Sequence, residues 1–440
     1  MRIRLAWLAV LAVVGAIGGC GGDPQSARGS HRAPDDPPRL VILGVDGFDW
    51  NIVDPLVAAG RMPETEKLQA EGTRADLLTL VPLEKSPVIW TSIATGKLPE
   101  QQGRGFLIES GPDSAKAYTA WNRSTRAFWN VLSDLGWSVS VLGWLETWPA
   151  ERVHGTIVSD YVQYDVAERA KRARFRHRTY PEELFPEIEP FVVYPKDVSD
   201  DDLAPFLTGT VTEESPDNLR FGIDDLRWIW SGDLTFTAIA EDFLQHRRED
   251  VMAIYLRGPD AVCHKFWGAR EDLAAGRDNP MAQVFGETVD RYFEATDTLL
   301  GRILDKIDLT RTTLVLVSDH GFRGGRQALD GSPRLGVWMH RELGTVLVAG
   351  PAAAGSGLRV EGARVIDVLP TVLHVLGLPV AEDFDGEVAR SLLGEEGGRD
   401  RVVRTVPTFE TGEPPEVPRD TESPVDEQIR ERLESLSYIE

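Results

Sequence analysis

The stretch RLVILGVDG, at residues 39–47, decides the fold class of this chain. It is a mostly apolar run that ends in Asp46 and Gly47, which is typical of a central parallel strand buried on both faces. Four further strand candidates lie at residues 137–144, 251–258, 312–321 and 344–351. Helical patterns alternate with them, at residues 125–135, 234–248, 283–307 and 365–377. This alternation predicts an α/β fold with a doubly wound, mostly parallel sheet, whose catalytic groups lie at the carboxyl ends of strands.

Two regions depart from that alternation. Residues 165–230 are rich in charge and proline and predict a cap region inserted into a domain that spans 39–395. Residues 396–440 are acidic and proline-rich, which indicates an extended tail. The tail ends in IRERLESLSYIE, and its apolar side chains predict a short helix that docks back on the body; they are Ile429, Leu433, Leu436 and Tyr438.

The N-terminus has the features of an export signal. Arg2 and Arg4 precede an apolar run at residues 5–19, which is shorter than the roughly 20 residues of a membrane-spanning helix. Cys20 follows directly, as in bacterial lipoprotein signals, where the cysteine is lipidated and becomes the first residue. We therefore expect export and a lipid anchor at the bacterial cell envelope, with residues 20–38 as a flexible tether. An ordinary signal peptide or a short anchor helix is the alternative.

Charge and cysteine content exclude some classes of protein. The 440 residues include 70 acidic and 47 basic side chains, a formal net charge of −23. Such a chain repels a phosphate backbone, so we expect no nucleic-acid scaffold. A phosphorylated substrate is still compatible, because bound cations reverse the field locally. With Cys20 lipidated, Cys263 is the one remaining cysteine, so no internal disulfide is expected.

Three local clusters place Asp or His directly after an apolar strand candidate. They are VDG with Asp46, DAVCH with Asp260 and His264, and SDHG with Asp319 and His320. Strand ends project into one crevice, and Asp and His are ligands suited to zinc. Each cluster alone also has a structural interpretation, such as an Asp-Gly turn or a capping Asp beside a surface His.

A fourth feature is a serine at a predicted helix start. In EKSPVIWTSIATGKLPEQQG, residues 84–103, Pro87 suits the first helical position and makes Ser86 the N-cap. A capping serine needs no further role. A helix N-terminus also favours a bound phosphoryl group, and a serine held there beside metal ions is an activated nucleophile.

Taken in order, these motifs resemble the alkaline phosphatase superfamily, and within it the type I phosphodiesterase/nucleotide pyrophosphatase branch. The resemblance covers residues 39–395. Its matching pieces are VDG at 45–47, Ser86 with TGKLPEQQG at 95–103, DAVCH at 260–264, SDHG at 318–321 and a later histidine. It implies an alkaline phosphatase-like fold and a metal-dependent hydrolase of phosphoric esters, namely a phosphodiesterase or pyrophosphatase.

The resemblance also implies roles for individual residues. His340, in MHRELG before a strand candidate, is the expected last ligand, whereas His374 lies in an apolar helical stretch. Two divalent ions are implied, with zinc expected and Mn or Fe possible at the same ligands. Ser86 lies between them and forms a covalent phosphoserine that water then hydrolyses. The implied ligands are Asp260, His264 and His340 for one ion, and Asp46, Asp319 and His320 for the other.

Some family features are missing. The sequence SPVIW at Ser86 lacks the x-Pro-x-Arg that follows the nucleophile of formylglycine sulfatases. The Asn that holds a phosphoryl oxygen in many nucleotide pyrophosphatases is absent, and Arg104 is a candidate replacement. Trp144, Thr147 and Trp148 are candidate substrate contacts, with packing of the core or the cap as the alternative for the tryptophans.

Other functions of the same fold stay open. A phosphomonoesterase, an envelope phosphotransferase and a non-catalytic binding lipoprotein are the alternatives, and a dead copy is expected to have lost a ligand or the nucleophile. The expected substrate is a phosphorylated small molecule or envelope component, and the sequence does not indicate an oligomeric state.

Overall fold

The computed structural model describes residues 38–102, 119–166, 174–324, 339–411, 415–419 and 423–435. Its strands are β1 (Leu40–Val45), β2 (Thr73–Leu78), β3 (Val139–Leu142), β4 (Gly155–Val158), β5 (Thr179–Tyr180), β6 (Val251–Leu256), β7 (Thr313–Ser318), β8 (Gly321–Phe322), β9 (His340–Arg341), β10 (Leu343–Ala349), β11 (Leu358–Arg364), β12 (Val380–Ala381) and β13 (Thr405–Val406).

Helices cover both faces of the sheet that most of these strands form. They are α1 (Trp50–Ala58), α2 (Pro63–Glu71), α3 (Ser86–Thr95), α4 (Phe128–Asp134), α5 (Phe185–Ile188), α6 (Asp200–Leu203), α7 (Asp217–His246), α8 (Gly258–Ala274), α9 (Pro280–Phe285), α10 (Thr288–Leu304), α11 (Val368–Val375) and α12 (Asp426–Ser435).

The central sheet has nine strands in the order β11-β2-β10-β7-β1-β6-β3-β4-β5. The five strands from β7 to β4 are parallel, while β10 runs antiparallel to both of its neighbours and β5 closes one edge antiparallel. The structure thus confirms the α/β class and the mostly parallel sheet. The antiparallel direction of β10 leaves no sequence signal, because an apolar central strand has the same composition in either direction.

Two apolar layers enclose the sheet. Val41, Leu43 and Val45 of β1 pack with α1, α2, α7, α8 and α10 on one face. Leu40 and Ile42 of the same strand pack with α3, α4 and α11 on the other face. Every residue of β1 is buried, which explains why the strand is apolar without alternation.

The region around residues 165–230 differs in detail from its prediction. Helix α7 has 30 residues and begins at Asp217, so residue 230 lies inside a helix and not at a boundary. Its first part is charged but amphipathic, since Leu219, Leu226 and Ile229 are buried. The many charged residues between these apolar positions made the helical spacing difficult to recognise in the sequence. Before α7, residues 182–206 form short helical turns.

The C-terminal segment packs on the body through α12. Val425 and Ile429 are buried in the core layer that also contains α7 and α8. Leu436 and Tyr438 lie outside the described residues. Within the part of the chain that the structure describes, no helix combines the length and the apolar composition needed to cross a bilayer.

Candidate metal centre

Three neighbouring strands deliver carboxylates and an imidazole to one edge of the sheet. Asp46 directly follows β1, and Asp319 and His320 directly follow β7. Asp260 lies in the first turn of α8, just after β6. Since β1 lies between β6 and β7, with Gly44 level with Tyr255 and Val317, the three strand ends meet.

Helix α3 brings Ser86 to the same place. The helix begins at Ser86 itself with Lys85 as the cap, one residue earlier than the sequence predicts. Ser86 Oγ lies 3.1 Å from Nε2 of His320. Ser86 is buried with its side chain at the helix N-terminus, where an anion is stabilised.

A short β-pairing positions the last histidine. Strand β9 pairs with β8, so His340 lies opposite Phe322. The rings of His340 and His320 stack with centroids 3.5 Å apart. His340 Nε2 is 2.8 Å from His264 Nε2 and 3.4 Å from Asp260 Oδ1. His374 is elsewhere in the fold, where its Nε2 donates to the carbonyl of Gly398.

The structure therefore brings the predicted ligands and Ser86 together, and ligand atoms lie within 4.8 Å of one another in two groups. One group contains Asp46, Asp319 and His320, as the resemblance implies. The other contains Asp260 and His340 with His320, where the resemblance assigns His264. His264 Nε2 also lies 3.5 Å from Asp260 Oδ1, so four side chains surround that position. We refer to the two groups with His264 as the metal cluster.

Burial sets the charge state of the metal cluster. Burial and the nearby Asp260 raise the pKa of Asp46 to about 6, and burial and Asp46 raise the pKa of Asp319 well above its usual range. Burial alone would raise the pKa of Asp260, but the imidazoles of His264 and His340 outweigh it and lower that pKa. Burial lowers the pKa of His340 to about 3, which keeps its ring neutral and able to bind metal.

Several buried oxygens in the metal cluster have no donor. Oδ1 of Asp46 and both carboxylate oxygens of Asp319 lack a hydrogen-bond partner among the described residues. Buried carboxylate oxygens without a partner are costly, and a cation removes that cost. Three carboxylates and three imidazoles fit two divalent cations.

Two side chains that sequence reasoning missed hold Asp46 in place. Tyr255 OH donates to Asp46 Oδ2 at 2.5 Å, and Trp90 Nε1 donates to the same oxygen at 3.1 Å. This leaves Oδ1 for an ion. Trp90 lies four residues after Ser86, and this spacing places both on one face of α3. That spacing was the available sequence signal.

The candidate substrate contacts are buried, and each of them contacts other residues of the protein. Trp144 is buried edge-on against Trp90, and Trp148 is buried in a stack on Tyr161. Thr147 Oγ1 is buried and donates to the carbonyl of Trp144. The packing interpretation accounts for the two tryptophans, and a substrate contact at these three positions stays a prediction.

The other individual predictions have different outcomes. Arg104 and Cys20 lie outside the described residues. Cys263 is buried in the core, and burial raises the pKa of its thiol well above the usual range.

The sheet, the strand-end ligands and the helix-borne serine define an alkaline phosphatase-like hydrolase. A family model, that of type I phosphodiesterase / nucleotide pyrophosphatase, matches residues 40–371. The chain belongs to this family and is a phosphoric ester hydrolase. No curated protein sequence matches it.

Solved structures share the fold at low sequence identity. A putative sulfatase from Bacteroides thetaiotaomicron VPI-5482 is 12% identical with a TM-score of 0.51, covering 84% of this chain and 76% of that chain. Human ectonucleotide pyrophosphatase/phosphodiesterase 5 is 11% identical with a TM-score of 0.47, covering 81% of this chain and 99% of that chain. At these identities the likeness concerns the fold and not the substrate.

Proposed function

We propose that the protein is a phosphodiesterase or pyrophosphatase in which Ser86 is the nucleophile and the metal cluster holds two zinc ions. The observation that carries the proposal is the 3.1 Å approach of Ser86 Oγ to His320 Nε2, because His320 belongs to both ligand groups. Asp46, Asp319 and His320 would hold one ion, and Asp260, His264 and His340 the other. Bound divalent cations supply Lewis acidity, which lowers the pKa of an adjacent hydroxyl and stabilises charge on phosphoryl and leaving oxygens.

The chain's own groups determine the geometry of the two steps. Ser86 Oγ, as the alkoxide, forms a bond to phosphorus opposite the leaving oxygen. The bond between phosphorus and that oxygen breaks, and the leaving alcohol takes up a proton from solvent. Water then attacks the phosphoserine, releases a phosphomonoester and restores the Ser86 hydroxyl. The N-terminus of α3 favours the negative phosphoryl group during both steps.

Hydrolysis of model esters tests this function. We would incubate the detergent-purified full-length chain with zinc and bis-p-nitrophenyl phosphate, p-nitrophenyl phosphate or p-nitrophenyl sulfate. The diester is expected to be cleaved fastest, and Ser86→Ala is expected to lower that rate by about 10⁴-fold or more. Faster cleavage of the monoester would favour a phosphomonoesterase, and faster cleavage of the sulfate would favour a sulfatase. An unchanged rate in Ser86→Ala would contradict the serine mechanism.

We further propose that the enzyme is exported and anchored by lipid at Cys20. The basic n-region, the apolar run at 5–19 and the tether at 20–38 support this proposal. Metabolic labelling with a fatty acid tests it, since the wild type should be labelled and Cys20→Ala should not. Equal labelling of both proteins would contradict the anchor.

A further inference from the structure

We propose that Asp49 is a positioning residue that holds His320 and His340 in place for metal binding. This inference rests on the proposed function, because it assumes that the metal cluster binds ions. It concerns a side chain that is not itself a ligand. Asp49 lies three residues after Asp46, in the loop that connects β1 to α1.

The carboxylate of Asp49 is completely buried, and both of its oxygens accept hydrogen bonds. Oδ1 accepts from the backbone N–H of Asn51 at 2.8 Å and from Arg341 Nη2. Oδ2 accepts from the backbone N–H of Phe322 at 2.9 Å and from Arg341 Nε at 3.0 Å. The pair with Arg341 is therefore bidentate, the geometry in which a guanidinium fixes a carboxylate most firmly.

A simple N-cap role explains only one of these contacts. Asp49 is the N-cap of α1, and the bond from Asn51 N–H satisfies that role. The other three bonds go to chain segments that carry ligands. Phe322 lies two residues after His320, and Arg341 directly follows His340.

These segments need outside support, because the strands they belong to are short. The pairing of β8 with β9 has two residue pairs, and a ladder of this length is marginal alone. Asp49 bonds to one residue of each strand and so connects them. Gly321 makes this approach possible, because a Cβ at that position would lie 2.5 Å from Asp49 Oδ2.

A second contact from the same loop supports the assignment. The backbone N–H of Phe48 donates to Ser318 Oγ at 2.9 Å. Ser318 Oγ in turn donates to the carbonyl of His320 at 3.0 Å. The loop at residues 46–49 thus supplies one ligand directly and fixes the backbone around two others.

Loss of such support weakens metal binding without removing a ligand. Groups that orient the ligands of a metal typically change its affinity by about 10- to 100-fold. In Asp49→Asn, an amide N–H₂ replaces one accepting oxygen and faces the Arg341 guanidinium together with the backbone N–H of either Asn51 or Phe322. We therefore expect zinc affinity to fall by about 10- to 100-fold.

Asp297→Asn is the matched control. Asp297 is also buried and also accepts backbone N–H groups at a helix start, from Glu64 at 3.0 Å and Thr65 at 2.7 Å. It lies on α10 and contacts α2, and these contacts involve no residue of the metal cluster. Both substitutions perturb a buried carboxylate that accepts backbone N–H groups at a helix start, and only Asp49 also bonds to the segments that carry His320 and His340.

The experiment measures zinc binding by the metal-free, full-length wild type, Asp49→Asn and Asp297→Asn in competition with a chromophoric chelator. Thermal melting of each metal-free protein is recorded in parallel. Both variants should have a lower Tm, and only Asp49→Asn should bind zinc more weakly. Equal zinc affinity in the two variants would overturn the proposal. If the wild type binds no zinc, the proposed function and this inference both fail.

Arg341→Gln provides a second test that does not depend on the folding of Asp49→Asn. Arg341 is 24% exposed at its side chain, so its replacement is less disruptive than a change at Asp49. The substitution should lower the zinc affinity of the position beside His340 more than that of the position beside Asp46. The two binding steps should therefore lie further apart in the zinc titration. An Arg341→Gln protein with two wild-type affinities would overturn the assignment.

Discussion

Two groups of buried carboxylates lie at the carboxyl edge of the same sheet, and their surroundings differ. Both groups include a carboxylate oxygen without a hydrogen-bond partner among the described residues, but Asp46 and Asp319 of the metal cluster also lie within 3.4 Å of the His320 imidazole. Glu146 and Asp160, which we call the acid pair, follow β3 and β4. Glu146 accepts from Thr91 Oγ1 at 3.0 Å, and Asp160 accepts from the backbone N–H of Glu146 at 3.2 Å.

The comparison shows that burial of carboxylates does not by itself make a metal site. Burial raises the pKa of Glu146 to about 8 and that of Asp160 to about 7. A proton can therefore neutralise the acid pair near neutral pH. In the metal cluster, imidazoles beside the carboxylates complete a set of ligands that fits cations.

Removal of metal should have the largest effect on activity and on the free energy of unfolding, because the metal cluster needs cations and the acid pair does not. We expect a strong chelator to abolish diester hydrolysis and zinc to restore it. Each bound zinc ion should also raise the free energy of unfolding by about 4 kcal/mol when free zinc exceeds its Kd about 1,000-fold, so two ions should add about 8 kcal/mol. Calorimetry with and without zinc measures this change, and Ser86→Ala should retain much of the gain while remaining inactive. Full activity in the chelated protein would contradict a metal mechanism.

The effect of Asp319→Asn on the free energy of unfolding should differ in sign between the metal-free and the zinc-loaded protein. The amide relieves repulsion with Asp46 and Asp260, so the metal-free variant should be at least as stable as the metal-free wild type. With zinc, the variant should be less stable than the wild type by about 3–5 kcal/mol, because a buried charge loses its partner. Urea unfolding under both conditions provides the measurement. If the variant were less stable than the wild type by the same amount with and without zinc, Asp319 would have a purely structural role.

Glu146→Gln should change the pH dependence of stability. Glu146 titrates near 4.5 when unfolded and near 8 when folded, so the native state binds more protons between these values. The free energy of unfolding should therefore fall as pH rises from 5 to 8, and a loss of a few kcal/mol follows from about 1.4 kcal/mol per pKa unit. Urea unfolding of the chelated proteins should show a flatter profile for Glu146→Gln. Identical profiles would mean that Glu146 is ionised in the folded state.

Tyr255→Phe should have the smallest effect. It removes the hydroxyl that donates to Asp46 Oδ2, while Trp90 still donates to the same oxygen. We expect zinc affinity to fall by about tenfold with two ions still bound. The chelator competition assay measures this, with Tyr161→Phe as the control, because Tyr161 is also buried but stacks on Trp148 instead. A fall of equal size in both variants would contradict a specific role for Tyr255.

The sequence by itself determined the α/β class and the family, and it identified the candidate ligands. Apolar runs such as 39–47 report buried strands, and an Asp or His directly after such a run is local information. The resemblance implied a later histidine, and the position of His340 before a strand candidate matched it better than that of His374 in an apolar helix. Order along the chain then carried the family resemblance.

Tertiary structure decided the parts that depend on distant pairs. The Phe322 N–H reaches Asp49 across 273 positions of sequence, and Tyr255 reaches Asp46 across 209. Trp144 and Trp148 follow a strand as a substrate contact would, yet packing against Trp90 and Tyr161 buries them. A residue's own neighbours in sequence set its strand or helix, but hydrogen bonding and burial depend on which segments the fold brings together.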